Sequence, residues 1–118
     1  MEKFTVVLPL TGEYLTTVRL TTGGLCSLAG FDVDFAEDYK VCVTESLLIL
    51  KRNGYQTAVM EFIVGEKLAC AITGDTQGEK TGDTLEDDIS RALLSALLDG
   101  VEFIKDNDGN VQKITFEG

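Results

Sequence analysis

The stretch from Phe35 to Gly54, FAEDYKVCVTESLLILKRNG, limits the fold more than any other part of the chain. Phe35, Tyr39, Cys42, Ser46 and Leu50 return at helical spacing, so they line one stripe of an α-helix and need a core to receive it. Asp34 is expected to cap the first turn with Glu37 as its capping partner, and Gly54 supplies the stop. Glu37, Asp38, Lys51 and Arg52 fall on the side left to water. Glu45 sits on the flank of the stripe, and Ile49, one turn further, shares that flank. A carboxylate so placed is either a solvated flank residue or a positioned base.

The flanking segments set what this helix packs against. Phe4 to Leu8 is a short β-rich run closed by Pro9, the only proline, and Leu10-Thr11-Gly12 is a turn. Glu13 to Ala29 places Leu15, Val18, Thr22, Leu25 and Leu28 or Ala29 on one helical face, with Gly30 as the stop. Gly23 and Gly24 inside it each cost about 1 kcal/mol relative to alanine. They fit either a close approach of another element or a helix break. Gln56 to Val64 and Lys67 to Thr73 alternate as two strands about a Gly65-Glu66 turn. Gly74 to Asp83, GDTQGEKTGD, is a polar, glycine-rich loop. Thr84 is expected to cap a third helix running to about Leu98, with Leu85, Ile89, Ala92, Leu93, Ala96 and Leu97 on its apolar side. Val101 to Lys105 and Val111 to Phe116 are strands around DNDGN, where Asp108-Gly109 is the strongest hairpin signal. The sum is an α+β two-layer sandwich: a five-stranded mixed sheet with three helices on one face. At 118 residues, residues 1–118 form a single domain.

Composition narrows the chemistry. The chain has no histidine, which removes Ser-His, Cys-His and zinc-hydrolase schemes. Cys26, Cys42 and Cys70 are isolated among apolar neighbours, as reduced core cysteines are. Twenty acids against ten bases give a net charge of −10, a field that repels nucleic acid and anionic lipid and favours basic partners or solubility. Mean hydropathy is near zero, no apolar run is long enough to span a bilayer, and MEKFTVVLPL lacks the parts of a signal peptide. The expected setting is the cytoplasm, with no nucleic acid and no membrane as partner.

Several residues now combine into a resemblance. VRLTTGGLCSLAGFDVDFAEDYKVCVTESL, from Val18, is similar to the N-terminal half of the bacterial anti-sigma factor serine kinases, members of the ATPase superfamily that includes histidine kinases and gyrase. Arg19, Ala29-Gly30-Phe31, Ala36 to Lys40 and Thr44-Glu45-Ser46 match that family's Arg-Leu-Thr-Thr start, Ala-Gly-Phe helix end, Ile-Glu-Asp-x-Lys segment and Ser-Glu-Ala box. LLSALLDGVEFIKDNDGNVQKITF resembles its closing helix and hairpin. The resemblance implies a Bergerat-type, histidine kinase-like ATPase sandwich.

The same resemblance implies that the nucleotide-site motifs are degenerate. Glu45 matches the general-base glutamate, but Ile49 stands where the family has the asparagine that holds magnesium, and an isoleucine offers no oxygen to a hard cation. Asn53, a further turn along, has a different reach. Asp75 matches the adenine-side aspartate of an Asp-x-Gly-x-Gly box, yet Gln77 replaces its first glycine, and an ordinary polar turn is the better reading of the segment. Glu86, Asp87 and Asp88 occupy the helix start where a phosphate would dock, with Lys80 as the only nearby cation. Asn110 follows Gly109 where the family has Gly-Thr. The implied function is an anti-sigma factor-like regulatory protein working through protein-protein interaction, with a sigma factor or an anti-anti-sigma protein as partner and no cofactor. Arg19 matches a partner-binding arginine and is equally a solvated surface residue. Family members commonly dimerise, and a homodimer is compatible with the glycines of the first helix. The alternative is an active serine kinase in which Glu45 takes a serine proton while ATP and magnesium are held.

Overall fold

The computed structural model describes residues 2–78 and 84–118. In these, the chain forms β1 (Glu2–Pro9), α1 (Leu15–Leu28) entered through a 3-10 turn at Gly12–Tyr14, α2 (Val33–Arg52), β2 (Tyr55–Val64), β3 (Leu68–Gln77), α3 (Thr84–Leu97), β4 (Glu102–Lys105) and β5 (Val111–Glu117). The strand order is β1-β2-β3-β5-β4, and every pairing is antiparallel. The sheet is therefore not mixed. A pair of helices, one down and one up, separates β1 from β2, which reverses the second strand relative to the first. β3 and β4 do run in the same direction across α3, but β5 is inserted between them.

One face of the sheet is covered and the other is not. Ala58, Met60 and Phe62 of β2, Leu68, Cys70 and Ile72 of β3, and Ile114 and Phe116 of β5 are buried, alternating with more exposed neighbours as the strand period requires. Burying a large apolar side chain contributes about 1.5–3 kcal/mol, and α2, which packs on β2, β3 and β5, buries Tyr39, Cys42, Val43, Leu47, Ile49 and Leu50. The Tyr39 hydroxyl donates to the Leu68 carbonyl at 2.8 Å, and its ring meets Phe116 edge-on at 5.3 Å. This fastens the start of α2 to the middle of the sheet.

Local chemistry explains the helix ends. Gly30, at φ +77°, lets Phe31 N–H reach back to the Cys26 carbonyl at 3.1 Å, which closes α1. The chain re-enters a helix at once, so Asp32 and not Asp34 is the N-cap of α2: its Oδ1 accepts from Phe35 N–H at 2.8 Å. Inside α1, a Cβ on Gly23 would lie 3.0 Å from Lys40 Cε, whereas one on Gly24 would meet nothing. Only Gly23 marks a close approach, between α1 and α2. Ala29, not Leu28, packs against the core.

Two other expectations are corrected. Gly74 to Gln77 is strand, since β3 pairs with β2 as far as Tyr55 opposite Gln77. The loop reading of 79–83, Lys80 and the side chain of Thr84 lie outside the described residues. On α3 most of the apolar side read from sequence is not the packed one: Leu85 is 63%, Ile89 61% and Leu93 36% exposed, whereas Leu97 of that side does pack against the core, beside the buried Ser90, Leu94 and Leu98. α3 docks against the polar flank of α2, and docking selected the face that carries Asp87 and Ser90. Among the described residues, no helix is long and apolar enough to cross a membrane.

Candidate functional site

The end of α2 and the start of α3 meet in a polar seam. Arg52 Nε donates to Asp87 Oδ1 at 2.6 Å and its Nη2 to Ser90 Oγ at 2.6 Å. Asn53 Nδ2 donates to the other Asp87 oxygen at 2.6 Å and to the Ile49 carbonyl at 2.8 Å. The Asn53 side-chain oxygen, Oδ1, accepts from Val111 N–H at 3.1 Å, which ties the seam to β5. Ser90 Oγ donates in turn to Glu45 Oε2 at 2.8 Å. Glu45, Ser90, Arg52, Asp87 and Asn53 thus form one connected network. The Arg52 and Asp87 side chains are each 15% exposed, so the pair is screened by salt far less than a surface pair.

Ile49 is fully buried beside this seam. It does not share a half-wet flank with Glu45, because α2 is covered by α1 on one side, α3 on another and the sheet beneath, which widens its buried arc beyond the stripe. Arg52, expected to stay in water, is the cation of the seam. Among the described residues it is the positive charge beside Asp87. Glu86 lies 3.8 Å from the same guanidinium but is largely exposed.

Asp75 belongs to a different place. Its carboxylate accepts from the neighbouring Thr76 N–H at 2.8 Å, and its carbonyl accepts from Thr57 Oγ1 at 3.0 Å. Together with Gly74, Gln77, Asp106 and Asp108 it lines an open cleft of about 430 Å³. One wall of that cleft is the Tyr55 ring. A Cβ on Gly74 would stand 2.5 Å from the Tyr55 Cγ, so glycine is what lets the ring lie against β3. The Tyr55 hydroxyl donates to Asp106 Oδ2 at 2.5 Å. Burial, then this carboxylate, pushes the phenol up to about 12, while the same hydrogen bond holds Asp106 below the usual carboxylate range. Asp106 also accepts from Asp108 and Asn110 N–H through its other oxygen. Asn110 is therefore placed as the closing residue of the β4–β5 turn, with Gly109 at φ +83°.

Arg19 is exposed on α1, near Glu37, whose carboxyl is held low chiefly by its hydrogen bond to Lys40. It has no part in the seam. The structure thus joins Glu45 to α3, sets Asp75 and Asn110 around the Asp106 turn, and leaves Arg19 on the far helix. Burial raises the thiols of Cys26 to about 11 and Cys42 to about 12, which keeps them protonated and unreactive. Sequence reasoning missed Arg52, Ser90, Tyr55 and Asp106. One signal existed: Asp87, Ser90, Leu94 and Leu98 also recur at helical spacing, a rival stripe to the apolar one.

No family model matches the chain. Curated proteins named serine-protein kinase RsbW, from Bacillus cereus, Bacillus thuringiensis and Bacillus mycoides, are 30% identical to it over 63 residues, 53% of this chain. The match covers 39% of each relative's length. The antiparallel α+β sandwich is compatible with a histidine kinase-like ATPase fold, and over half its length the chain is similar to serine-protein kinases of the RsbW type.

Proposed function

We propose that this chain is an anti-sigma-like regulatory domain that acts by binding another protein and does not transfer phosphate. The observation that carries the reading is the seam: the carboxylate at the general-base position, Glu45, is taken up by Ser90, and Arg52 is taken up by Asp87. A magnesium nucleotide does not fit these residues. The position that needs an oxygen ligand holds Ile49, an aliphatic side chain with no exposure. The first turn of α3, whose free amides would otherwise attract phosphate, carries Glu86 and Asp87. With Arg52 already neutralising Asp87, an arriving triphosphate would meet net negative charge. The residue proposed to face the partner on α1 is Arg19.

Calorimetric titration with ATP and magnesium tests the first half, with no binding heat expected up to millimolar nucleotide. Micromolar affinity would overturn it. For the second half, purified sigma factor and anti-anti-sigma protein from the native genome are mixed with the chain, and a stable complex with one of them is expected on size-exclusion chromatography. Failure of both to bind would sink the partner assignment. The retained Glu45 and the serine-kinase names of the relatives favour one rival, an active serine kinase. That rival requires labelled phosphate to appear on a partner serine and to vanish in Glu45→Gln.

A further inference from the structure

We infer that the outward face of α3 is a docking surface for a basic amphipathic helix of a partner protein. The inference rests on the protein-binding reading above and adds to it a second contact surface, on a different helix from Arg19. Ile89 is 61% and Leu93 36% exposed, and Ala92 and Ala96 are exposed beside them. At 3.6 residues per turn these four positions fall within an arc of about 100°, the width of a stripe made to be buried. The opposite side of the same helix is already used, by Asp87, Ser90, Leu94 and Leu98. A helix with both faces suited to packing, one of them left to water, is expected to meet a further element.

Charge selects the occupant. Glu86 flanks the stripe on one edge and Asp88 on the other, and Asp99 stands in the turn just beyond the helix; all three are exposed. Among the described residues, the cations near the stripe are engaged elsewhere: Arg52 points inward to Asp87, and Arg91 lies 4.9 Å over the Phe103 ring. The apolar stripe thus has an acidic rim on a chain of net charge −10. A second copy would bring like charges edge to edge. A helix with lysines or arginines beside its own apolar stripe pairs with the rim, and the small Ala92 and Ala96 allow close approach of its backbone.

The test uses three fluorescently labelled 18-residue synthetic peptides: an amphipathic leucine-lysine helix, the same composition in scrambled order, and a leucine-glutamate helix with the same apolar pattern. The first is expected to bind at least tenfold more tightly than the other two, with amide shift changes centred on Ile89, Ala92, Leu93 and Ala96. In the double variant Ile89→Lys, Leu93→Lys, whose thermal midpoint should change little because both sites are exposed, that affinity should fall at least tenfold. Equal binding of the scrambled peptide, shifts centred on the open face of the sheet, or an unchanged affinity in the variant would each overturn the inference. So would concentration-dependent dimerisation that the variant abolishes, which would assign the face to a second copy. A protein partner that binds wild type and variant alike would remove the docking face while the protein-binding reading stands. Peptide docking with no regulatory partner bound would do the reverse.

Discussion

Replacing Asp87 by alanine probes the seam most directly. The change strips Arg52 Nε and Asn53 Nδ2 of their 2.6 Å acceptor and leaves a guanidinium that is 15% exposed without its nearest counter-charge. Hydrogen bonds to a charged group contribute about 1.5–3 kcal/mol each, but water can reach part of the seam and Arg52 keeps Ser90. The expected loss is about 2–3 kcal/mol, or about 10 °C in thermal midpoint for a domain of this size. The control is Glu86→Ala. Glu86 shares the first turn of α3 and the same guanidinium, but lies 3.8 Å away with its side chain 64% exposed. It therefore carries the same helix-dipole benefit without the seam, and its loss should cost under about 1 kcal/mol. Urea unfolding followed by circular dichroism measures both, and an unchanged m-value confirms that folded compactness is retained. Equal costs for the two variants would refute the claim that the seam, and not general first-turn charge, holds α3 to α2.

Three further outcomes follow from the geometry. Ile49→Asn puts an amide into a fully buried site and should destabilise by about 2–4 kcal/mol, seen as a lower urea midpoint; a neutral effect would mean the site is open enough to admit a ligand. Gly74→Ala sets a methyl 2.5 Å from the Tyr55 ring and should cost about 1–3 kcal/mol, against little change for Gly12→Ala, where a Cβ meets nothing; matched thermal melts of the two decide it. Tyr55 has its pKa raised from the ordinary 10.0 to about 12. The native state therefore keeps a proton that the unfolded chain loses first, so its contribution is intact below pH 10 and fades as pH rises through about 12. The difference in phenolate absorbance between wild type and Tyr55→Phe should show a midpoint near 12, and a midpoint near 10 would show a phenol neither buried nor held by Asp106.

The helical period of residues 35–54, the strand alternation after it and the Asp108-Gly109 turn were all legible along the chain, because each depends on neighbours a few residues apart. Local spacing cannot say which of two stripes on a helix will be buried. On α3 the richer apolar stripe, Ile89 and Leu93, stayed in water and the poorer one, Asp87, Ser90 and Leu94, was packed, since Arg52 and Asn53 reached it from 34 or more positions away in sequence. Asp32 displaced Asp34 as a cap for a shorter-range version of the same reason: the end of α1 determined where α2 began. The likeness to serine kinases lies in the order of residue types and was readable without coordinates. That Glu45 spends its carboxylate on Ser90, and that Ile49 lies wholly inside, are outcomes of three layers closing around α2. Burial and charge pairing are properties of what surrounds a residue in space, and the chain acquires those surroundings only on folding.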